Sequence, residues 1–496
     1  MDLVLLLVTI IFLLVIFIWF QRPDPNLPPC PSRPLPIVGH IFVLQEDSRA
    51  QFKKWRHQLG DLFSIYMGRK LAVVVSSYEL LKEILVKKGD GCLNRPDMFV
   101  DIATGIPKKG VIASPVEEWR EQRAVTISIL RAFGMGKNIL AEKIKEEAKC
   151  YTDVLADLQG KPTDIRMVTN LSMCNIVCSV IIGERFQYDD KVIQDLMITL
   201  NLIIADFNPS SLVTFIPVLK YVPGDLFRTK RIQSSARKVM DLFVNKFVRS
   251  KANEKSDDGE QDNFVATYMR EWKQKIKSNE PTTMNEDHLS KIIWDLFNAG
   301  TETTATTVIW CVLYAITHPE VQDKIYAEIV AEIGTERPPS IQDKPKLVYL
   351  NAFIMESQRL ASIAALAIAH ECNTDITIRN YTLPKGTIII PNIDSVSYDE
   401  KIWGENVHTL KPERFIDDNG KLKNPEEFIP FGIGKRVCLG EGWAKMILFL
   451  YLSTIFQRFQ VLPSNSASPP TLDYVFGLDV HPTHFEARFV NRNMDN

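Results

Sequence analysis

The chain has 496 residues, and its 58 lysine and arginine side chains nearly balance its 60 aspartate and glutamate side chains, which gives a net charge of −2. This balance, with no basic stripe, excludes nucleic acid as an expected partner. With 46% hydrophobic residues and no repeat or low-complexity tract, the sequence predicts one large buried core after its N-terminal segment.

The N-terminal segment from Leu3 to Phe20 is apolar and is interrupted only by Thr9. A helix of this length rises about 1.5 Å per residue and spans about 27 Å, which suits the bilayer of the endoplasmic reticulum. A cleaved signal peptide is the alternative, but the segment lacks a preceding basic region and a following cleavage site of small residues. Asp2 precedes the segment and Arg22 and Arg33 follow it, so the charge bias predicts that the rest of the chain is cytosolic.

A proline-rich stretch, Pro28 to Pro36, follows the apolar segment. It predicts a stiff, non-helical linker, because proline fixes φ and removes a hydrogen-bond donor. We therefore divide the chain into a transmembrane signal-anchor in residues 1–20, a proline-rich hinge in residues 21–40 and one folded domain in residues 41–496.

Apolar residues at three- and four-residue spacing recur through the rest of the chain and predict a mainly α fold. The clearest predicted helices are Trp119 to Phe133, Ile139 to Leu158, Thr169 to Ile182, Lys230 to Phe247 and Leu289 to Ile316. Two pairs of strand-like segments predict a small antiparallel β-sheet near each end, because each pair flanks a turn. The pairs are Phe63 to Tyr66 with Leu71 to Val75 around Gly68, and Ile376 to Ile378 with Thr387 to Ile390 around Pro384.

Two of the predicted helices carry unusual polar patterns. Trp119 and Arg123 lie four residues apart and hence on one helix face, and this pattern alone favours an amphipathic surface helix. The run from Ala299 to Thr304 places a glycine and several threonines inside an apolar helix. The glycine costs up to about 1 kcal/mol, and threonine hydroxyls that bond to helix carbonyls can open the hydrogen-bond ladder. The run indicates either close packing through small residues or a need for space beside the helix.

The run from Phe431 to Gly440 surrounds Cys438 with glycines and places Arg436 two residues before it. A thiolate that binds a metal must be deprotonated, and nearby positive charge and backbone N–H donors favour that state. Glycine lets the backbone approach a bulky planar ligand without a Cβ clash. The alternative is a buried free cysteine in a turn, but five fixed positions at fixed spacing favour the ligand interpretation. The other cysteines form no C-x-x-C pair, so reduced cytosolic thiols are expected.

The spacing F-x-x-G-x-R-x-C-x-G of this run resembles the haem-ligand loop of the cytochrome P450 superfamily. The apolar anchor and the proline-rich hinge resemble those of microsomal, family 2-like members, and the resemblance extends to Phe476-Gly477-Leu478 near the C-terminus. It implies the cytochrome P450 fold, haem b (iron protoporphyrin IX) as cofactor and Cys438 as the axial metal ligand. Phe431 would shield the sulfur from water, and Gly432 would let the backbone come close to the haem.

The same resemblance gives the helix run a catalytic role. Ala299 and Gly300 would leave space for dioxygen above the iron, Thr303 would hydrogen-bond the oxygen ligand, and Glu302 would help to relay protons. A hydroxyl that both donates and accepts suits this step.

Other positions take binding or structural roles from the resemblance. The side chains that would meet a haem propionate are Trp119, Arg123, Arg436 and His370. His370 is equally well interpreted as a structural histidine. Glu356 and Arg359 are spaced as an ordinary helix ion pair, and the resemblance joins them to Arg414 in one buried network.

The resulting hypothesis is a haem-thiolate monooxygenase that inserts one atom of O2 into a lipophilic organic substrate. No dinucleotide or flavin fingerprint occurs, so electrons would come from NADPH through NADPH–cytochrome P450 reductase, with cytochrome b5 as a further candidate donor. The basic residues that the resemblance places near the docking face are Lys435, Lys445, Arg131 and Lys137. Two alternatives are a reductase-independent haem isomerase that rearranges peroxides, against which Thr303 argues, and a non-catalytic haem-binding sensor.

The segments that match the substrate pocket of the family are mostly apolar, which favours a lipophilic ligand and leaves steroids, fatty acids and foreign compounds open. They are Asp101 to Val111, Leu202 to Asn208, Ile292 to Ala299, Ile363 to Ala369 and Phe476 to Val480. Ala365 and Ala369 stand where microsomal relatives usually have prolines, so the shape of that wall does not follow from the resemblance. A further apolar stretch, Leu212 to Leu219, is predicted to dip into the bilayer or to pack on the core.

Overall fold

The computed structural model describes residues 3–20, 24–44, 47–133, 138–243, 248 and 263–492. Asp2, Arg22 and Lys137, on which predictions above depend, lie outside these residues. The described part is mainly helical. Its α-helices are α1 (Leu3–Phe20), α2 (Ser48–Leu59), α3 (Tyr78–Lys82), α4 (Phe99–Ala103), α5 (Val116–Ala132), α6 (Asn138–Asp157), α7 (Arg166–Ile181), α8 (Lys191–Ala205), α9 (Phe207–Phe215), α10 (Thr229–Leu242), α11 (Phe264–Lys277), α12 (Glu286–Thr317), α13 (Pro319–Glu332), α14 (Val348–Ala361), α15 (Ile393–Ser397), α16 (Glu400–Trp403) and α17 (Glu441–Arg458).

The β-strands are short and form four small sheets within the described residues. They are β1 (Leu62–Met67), β2 (Lys70–Val75), β3 (His370–Glu371), β4 (Ile376–Ile378), β5 (Tyr381–Leu383), β6 (Ile388–Pro391), β7 (Phe459–Pro463), β8 (Tyr474–Phe476), β9 (Val480–Pro482) and β10 (Ala487–Asn491). The largest sheet has the order β1-β2-β6-β3, and the other sheets are the antiparallel pairs β4–β5, β7–β10 and β8–β9.

The predicted helices are confirmed where the structure describes them, with ends that differ by three residues or fewer. The last residues of the helix predicted from Lys230 to Phe247 lie outside the described part. The first predicted hairpin is also confirmed, because Leu62 pairs with Val75 and Met67 pairs with Lys70 in an antiparallel register.

The second predicted hairpin is wrong. Ile376–Ile378 pairs with Tyr381–Leu383 across a two-residue turn, in which Arg379 has a φ of 52°. The segment predicted as its partner instead forms β6, which runs parallel to β2 and antiparallel to β3. The turn around Pro384 therefore delivers the chain to the larger sheet, where buried Ile388 and Ile389 gain more apolar contact than a hairpin offers.

Helix α12 is the centre of the core. The side chain of Asn285 caps its N-terminus by accepting the N–H of His288 at 2.8 Å, and Glu286 and Asp287 suit the positive end of the helix dipole. The helix packs most extensively against α7, whose residues from Thr169 onward are almost all buried. It also contacts α14 and α17. Because it is surrounded, α12 is apolar on nearly every side, and its few exposed positions stand out.

One buried ion network joins α14 to the segment before the cysteine loop, as predicted. Arg359 donates two hydrogen bonds of 2.8 Å to the Glu356 carboxylate, and Arg414 donates a third of 3.1 Å. Arg359 also donates to the carbonyl of Ser397, and Arg414 donates to that of Trp403. Glu356 is fully buried, and the backbone N–H of Lys411 also donates to its carboxylate at 3.1 Å, so protein donors compensate its charge.

The predicted transmembrane anchor is helical, but the structure does not show it as a membrane span. α1 runs from Leu3 to Phe20, but no single helix in the described ranges combines the length and hydropathy of a membrane span. Leu3–Ile16 and Arg166–Ile181 are shorter apolar helices. α8 and α9 together reach the required length and hydropathy, with a bend of 51° between them.

Candidate functional site

The cysteine loop is a tight turn that precedes helix α17. The N–H of Cys438 donates to the carbonyl of Phe431 at 2.9 Å, and the N–H of Val437 donates to that of Gly434 at 3.1 Å. Gly434 has a φ of 84°, and a Cβ there would lie 2.2 Å from the carbonyl oxygen of Leu85. Only glycine allows this approach, so the loop is held firmly against the helical turn Glu83–Lys87.

The Cys438 side chain is accessible but lies among protein atoms. Burial of this kind raises the pKa of its thiol, while the N–H of Gly440 and the charge of Arg123 oppose the shift. Gly440 caps α17, so the sulfur lies near the positive end of a helix dipole. These features favour a Cys438 thiolate whose negative charge is compensated by a bound metal ion.

Three arginines from distant parts of the chain gather beside this loop. Arg123 donates to the carbonyl of Val437 at 2.7 Å and so joins α5 to the cysteine loop. The guanidinium of Arg436 lies 4.2 Å from the ring centre of Trp119 and donates to backbone carbonyls that include that of Leu93. Arg95 donates to the carbonyls of residues 368 and 369 at 2.6 and 2.9 Å.

The arginine cluster, defined as Arg95, Arg123 and Arg436, has no carboxylate partner within the described residues. Burial is the main cause that lowers the pKa of each guanidinium, and mutual repulsion lowers the pKa of Arg95 and Arg436 further. The Nε atom of Arg95 and the indole N–H of Trp119 are buried without a hydrogen-bond partner. Buried charges normally have counter-charges, so the cluster is suited to a ligand with more than one negative charge.

His370 lies at the edge of this cluster, at the start of β3. Its Nδ1 donates to the carbonyl of Cys92 at 2.8 Å, which fixes the ring. Burial lowers the pKa of the imidazole well below its usual range, and the charges of Arg95 and Arg436 act in the same direction. The ring is therefore neutral at physiological pH and offers its Nε2 atom as the remaining polar group.

Helix α12 presents Ala299 and Thr303 as exposed positions in an otherwise buried region. The hydroxyl of Thr303 donates to the carbonyl of Ala299 at 2.6 Å, and that of Thr307 donates to the carbonyl of Thr303 at 2.7 Å. Gly300 lies beside α7, where a Cβ would come within 3.1 Å of Val177. Close packing through a small residue, one of the two interpretations of this run, is thus present at Gly300.

Glu302 points to a different side of α12 and joins a polar cluster there. Its carboxylate accepts a hydrogen bond of 3.0 Å from the amide of Asn170. Burial raises the pKa of Glu302 to about 7, and the negative charge of Asp479 adds to the effect. His481 and the Asn170 amide oppose this shift. An acid with such a pKa exchanges protons near neutral pH.

The structure thus joins Trp119, Arg123, Arg436 and Cys438 through direct contacts with the cysteine loop and its neighbours. Helix α12 packs directly against α17, the helix that follows the cysteine loop. Sequence reasoning missed Arg95, because an isolated arginine before a proline matches no periodic pattern. It also missed Asn170 and Asp479, which lie far from Glu302 in sequence.

Comparison with known proteins agrees with this arrangement. The protein-family model "Cytochrome P450" matches residues 28–488. Cytochrome P450 2J2 of Homo sapiens is 35% identical to this chain over 96% of the chain and 94% of that protein. Cytochrome P450 2D10 of Mus musculus is 32% identical over 98% and 96%, and cytochrome P450 2B2 of Rattus norvegicus is 34% identical over 95% and 94%. Because these matches span nearly the whole chain, it belongs to the cytochrome P450 family and is a haem-dependent monooxygenase.

Proposed function

We propose that this chain is a membrane-anchored monooxygenase of the endoplasmic reticulum that inserts one oxygen atom into a lipophilic substrate with electrons from NADPH. The observation that carries the proposal is the arginine cluster beside an accessible thiol at a helix N-terminus. A thiolate-ligated haem supplies the oxygen chemistry of such an enzyme, and its two propionates match the missing negative charge.

In this proposal, residues 41–496 form the catalytic domain and Cys438 is the metal ligand. The propionates are bound by Arg95, Arg123 and Trp119. The Nε atom of Arg95 and the indole N–H of Trp119 have no hydrogen-bond partner within the protein, so both are available as donors. Arg436 supports them mainly by charge, because its donors already bond to carbonyls such as that of Ser114.

Replacing Arg95 with leucine is expected to speed haem loss, because it removes one of the buried charges that face the propionates. Hydrogen bonds to charged groups contribute about 1.5–3 kcal/mol, so the rate of haem transfer to an apo-haem acceptor should rise about tenfold or more. Arg492, which is partly buried over the ring of Tyr326 and lies outside the cluster, offers a matched control as Arg492→Leu. Equal transfer rates for both variants would contradict the proposed role of Arg95.

The proposed roles on α12 concern protons. Thr303 has a hydroxyl whose hydrogen is held by the carbonyl of Ala299, so its oxygen is free to accept from a distal group. Glu302, whose pKa is raised to about 7, is partly protonated at neutral pH, so it can give up a proton and take one back. Ala299 and Gly300 are small residues that would leave space beside α12. Phe431 and Gly432 would line the opposite side of the site, next to the Cys438 sulfur.

Replacing Thr303 with alanine is expected to preserve haem binding and NADPH consumption while diverting electrons from product to hydrogen peroxide. The reason is that the hydroxyl steers protons, which water replaces only partly. The measurement is the ratio of hydrogen peroxide to oxygenated product with reductase present. Thr307→Ala is the matched control, because Thr307 makes the same helix-carbonyl bond but is buried. If Thr303→Ala gives the same ratio of hydrogen peroxide to product as wild type, the hydroxyl does not have the proposed role.

The proposed substrate is lipophilic because the predicted pocket segments are mostly apolar, and two buried charges within them are already paired with each other. Lys291 and Asp101 form a buried ion pair of 2.9 Å, and Asp101 also accepts the N–H of Lys108 at 2.9 Å. Neither buried charge is left to anchor an ionised substrate. The wall from Ile363 to Ala369 adopts a turn in which Ala367 has a φ of 46°.

Membrane contact is proposed from two exposed apolar segments as well as from α1. Ile37 and Phe42 are exposed in one segment, and Val218, Tyr221 and Leu226 in the other. The β1–β2 turn contacts both segments. The N–H of Gly68 donates to the carbonyl of Val38, and Gly68 packs on the backbone of Phe215. The segments therefore lie at one end of the molecule. Within the stretch predicted to dip into the bilayer, residues 213 and 216 are buried in the core.

Deleting residues 1–20 is expected to leave residual binding to lipid vesicles. Adding Val218→Ser and Leu226→Ser should remove most of the rest, because each exposed aliphatic side chain contributes about 1.5–3 kcal/mol when buried in lipid. Val330→Ser, at an exposed valine of α13, is the control. Flotation with vesicles measures the bound fraction, and a truncated chain that never floats would contradict this surface.

The proposed electron donor is NADPH–cytochrome P450 reductase, docked on the sulfur side of the site, with cytochrome b5 as a second candidate. Lys435 pairs with Asp90 and Lys445 pairs with Glu441, so intrachain partners already offset part of the predicted positive surface. Arg131 is exposed. Electrostatic docking would mainly raise the association rate.

The function as a whole is tested by supplying the purified protein with reductase, NADPH and a panel of lipophilic compounds. Substrate-dependent NADPH consumption with oxygenated product is expected. Conversion of peroxides without reductase would favour the isomerase alternative, and spectral binding without turnover would favour the sensor.

A further inference from the structure

Glu302 is linked to a second buried carboxylate, that of Asp479, by one hydroxyl. Thr306 donates to Asp479 Oδ2 at 3.1 Å, and it lies four residues after Glu302 on α12, so the two side chains share one face of the helix. The Nδ1 atom of His481 lies 3.4 Å from Asp479 Oδ1. Two acids, a hydroxyl and an imidazole therefore form one continuous polar row across α12 and β9.

The middle of this row is buried, and its two ends are partly exposed. Asp479 is 5% exposed, whereas the side chain of His481 is 29% exposed and reaches solvent. On its other side, Glu302 lines a small cavity between α8 and α12, together with Asn298 and the hydroxyl of Thr301. That hydroxyl is buried and has no hydrogen-bond partner. Glu302 thus lies between a partly exposed imidazole and a small cavity that polar and apolar side chains line.

We propose that His481, Asp479 and Thr306 form a proton path that resupplies Glu302 from solvent during turnover. The path rests on the proposed function, in which Glu302 gives up protons on the distal side. The three residues act through Glu302, so they are positioning residues for its proton.

The transfers balance without any electron movement. A proton from solvent binds His481, whose Nδ1–H passes to Asp479; the Asp479 proton passes to the Thr306 oxygen, whose own hydrogen passes to Glu302. The Thr306 hydroxyl first turns its hydrogen from Asp479 towards Glu302, and it ends with the hydrogen that it receives from Asp479. Each transfer breaks one N–H or O–H bond and forms another, so one proton leaves solvent and one arrives on the Glu302 carboxylate. His481 is left with its proton on Nε2, and exchange with solvent restores the Nδ1–H form. A hydroxyl can accept and donate at once, and imidazole exchanges protons readily at neutral pH.

The repulsion between the two carboxylates makes such a path workable. With both ionised, two negative charges would share a buried site, so one proton is retained at neutral pH. Asp479 and His481 are the charged groups that face Glu302, and Asn170 and Thr306 are its hydrogen-bond donors. The raised pKa of Glu302 agrees with this retained proton.

A purely structural role is the competing explanation, because β9 is also fixed by backbone bonds. The indole of Trp310 donates to the carbonyl of Val480 at 2.9 Å, and the N–H of Val480 donates to that of Ile363 at 2.9 Å. These bonds hold the strand without Asp479. A structural role for Asp479 would affect stability but not proton supply.

The test uses the holoenzyme and the variant Asp479→Asn, with His484→Gln as a matched control. His484 pairs with Asp164 at 3.0 Å on the nearby surface and is outside the row. Infrared difference spectra over pH follow the protonated carboxyl of Glu302, which is assigned by its loss in Glu302→Gln. Asp479→Asn should move this titration towards that of an ordinary glutamate, because a neighbouring negative charge is removed. It should also raise the share of electrons released as hydrogen peroxide severalfold and increase the solvent isotope effect.

An unchanged Glu302 titration and unchanged peroxide release in Asp479→Asn would overturn the path. A shifted titration with wild-type peroxide release would also overturn it, since the effect would then be electrostatic alone. If Asp479→Asn does not fold, His481→Gln decides instead, because His481 is partly exposed and its amide replacement cannot carry a proton. Peroxide release equal to wild type in that variant would overturn the proposal. The infrared titration requires no turnover, so its result is separable from failure of the proposed function.

Discussion

Replacing Cys438 with histidine is expected to abolish monooxygenase activity while haem remains bound. The axial ligand dominates haem electronics, and a thiolate favours O–O bond cleavage where histidine does not. The reduced carbon-monoxide adduct should move from the long-wavelength band of thiolate ligation to the shorter wavelength of histidine ligation. Reductase-driven turnover should fall to background.

The matched control for this variant is Cys150→Ser, at a partly exposed cysteine of α6. It should leave both the spectrum and the turnover as in wild type. An unchanged carbon-monoxide spectrum in Cys438→His would mean that another side chain provides the metal ligand.

The second large effect is expected from Glu356→Gln, which breaks the buried ion network of α14. The carboxylate is fully buried and holds Arg359 and Arg414, so neutralising it leaves two guanidinium groups without a counter-charge. Breaking a buried pair in this way costs about 3–5 kcal/mol, a large share of typical domain stability. We expect a much lower thermal midpoint and poor haem retention.

The control for the network is Glu142→Gln, which removes an exposed pair with Lys145 at 3.5 Å on α6. Exposed pairs of this kind contribute little, so no measurable change is expected. Thermal unfolding followed by haem absorbance compares the two variants under the same conditions. Similar midpoints for both would show that solvent or other groups compensate the arginines.

The sequence allowed several of the long helices, such as α5, α6, α7 and α12, to be predicted, because their apolar spacing reflects burial that is local in sequence. It also allowed the cysteine loop and the Glu356 network to be predicted, where motifs combine charge with fixed spacing. The pairing of β6 was not predictable in this way. Its partner Ala72 lies far away in the chain, and an apolar strand carries no label for its neighbour.

The polar side chains around the site illustrate the same limit. Arg95 and Asp479 acquire their roles only through long-range packing, which places them near Arg436 and Glu302. The turn at Ser362 and Ala367 was also hidden, because both residues adopt positive φ without glycine. Such conformations are imposed by the surrounding structure and leave no residue preference in the sequence.

The bonds from Arg95 to the carbonyls of Ile368 and Ala369 have a consequence for how the enzyme is assembled. The same guanidinium that would face a propionate also holds one wall of the predicted substrate pocket. Occupancy of the two sites is therefore thermodynamically linked, and the linkage acts equally in both directions. A compound that tightens this wall should raise the affinity for haem by the same factor by which haem raises the affinity for the compound. A newly synthesised chain would then form an ordered substrate pocket only when haem binds. Abundant substrate would in turn stabilise the haem-bound enzyme.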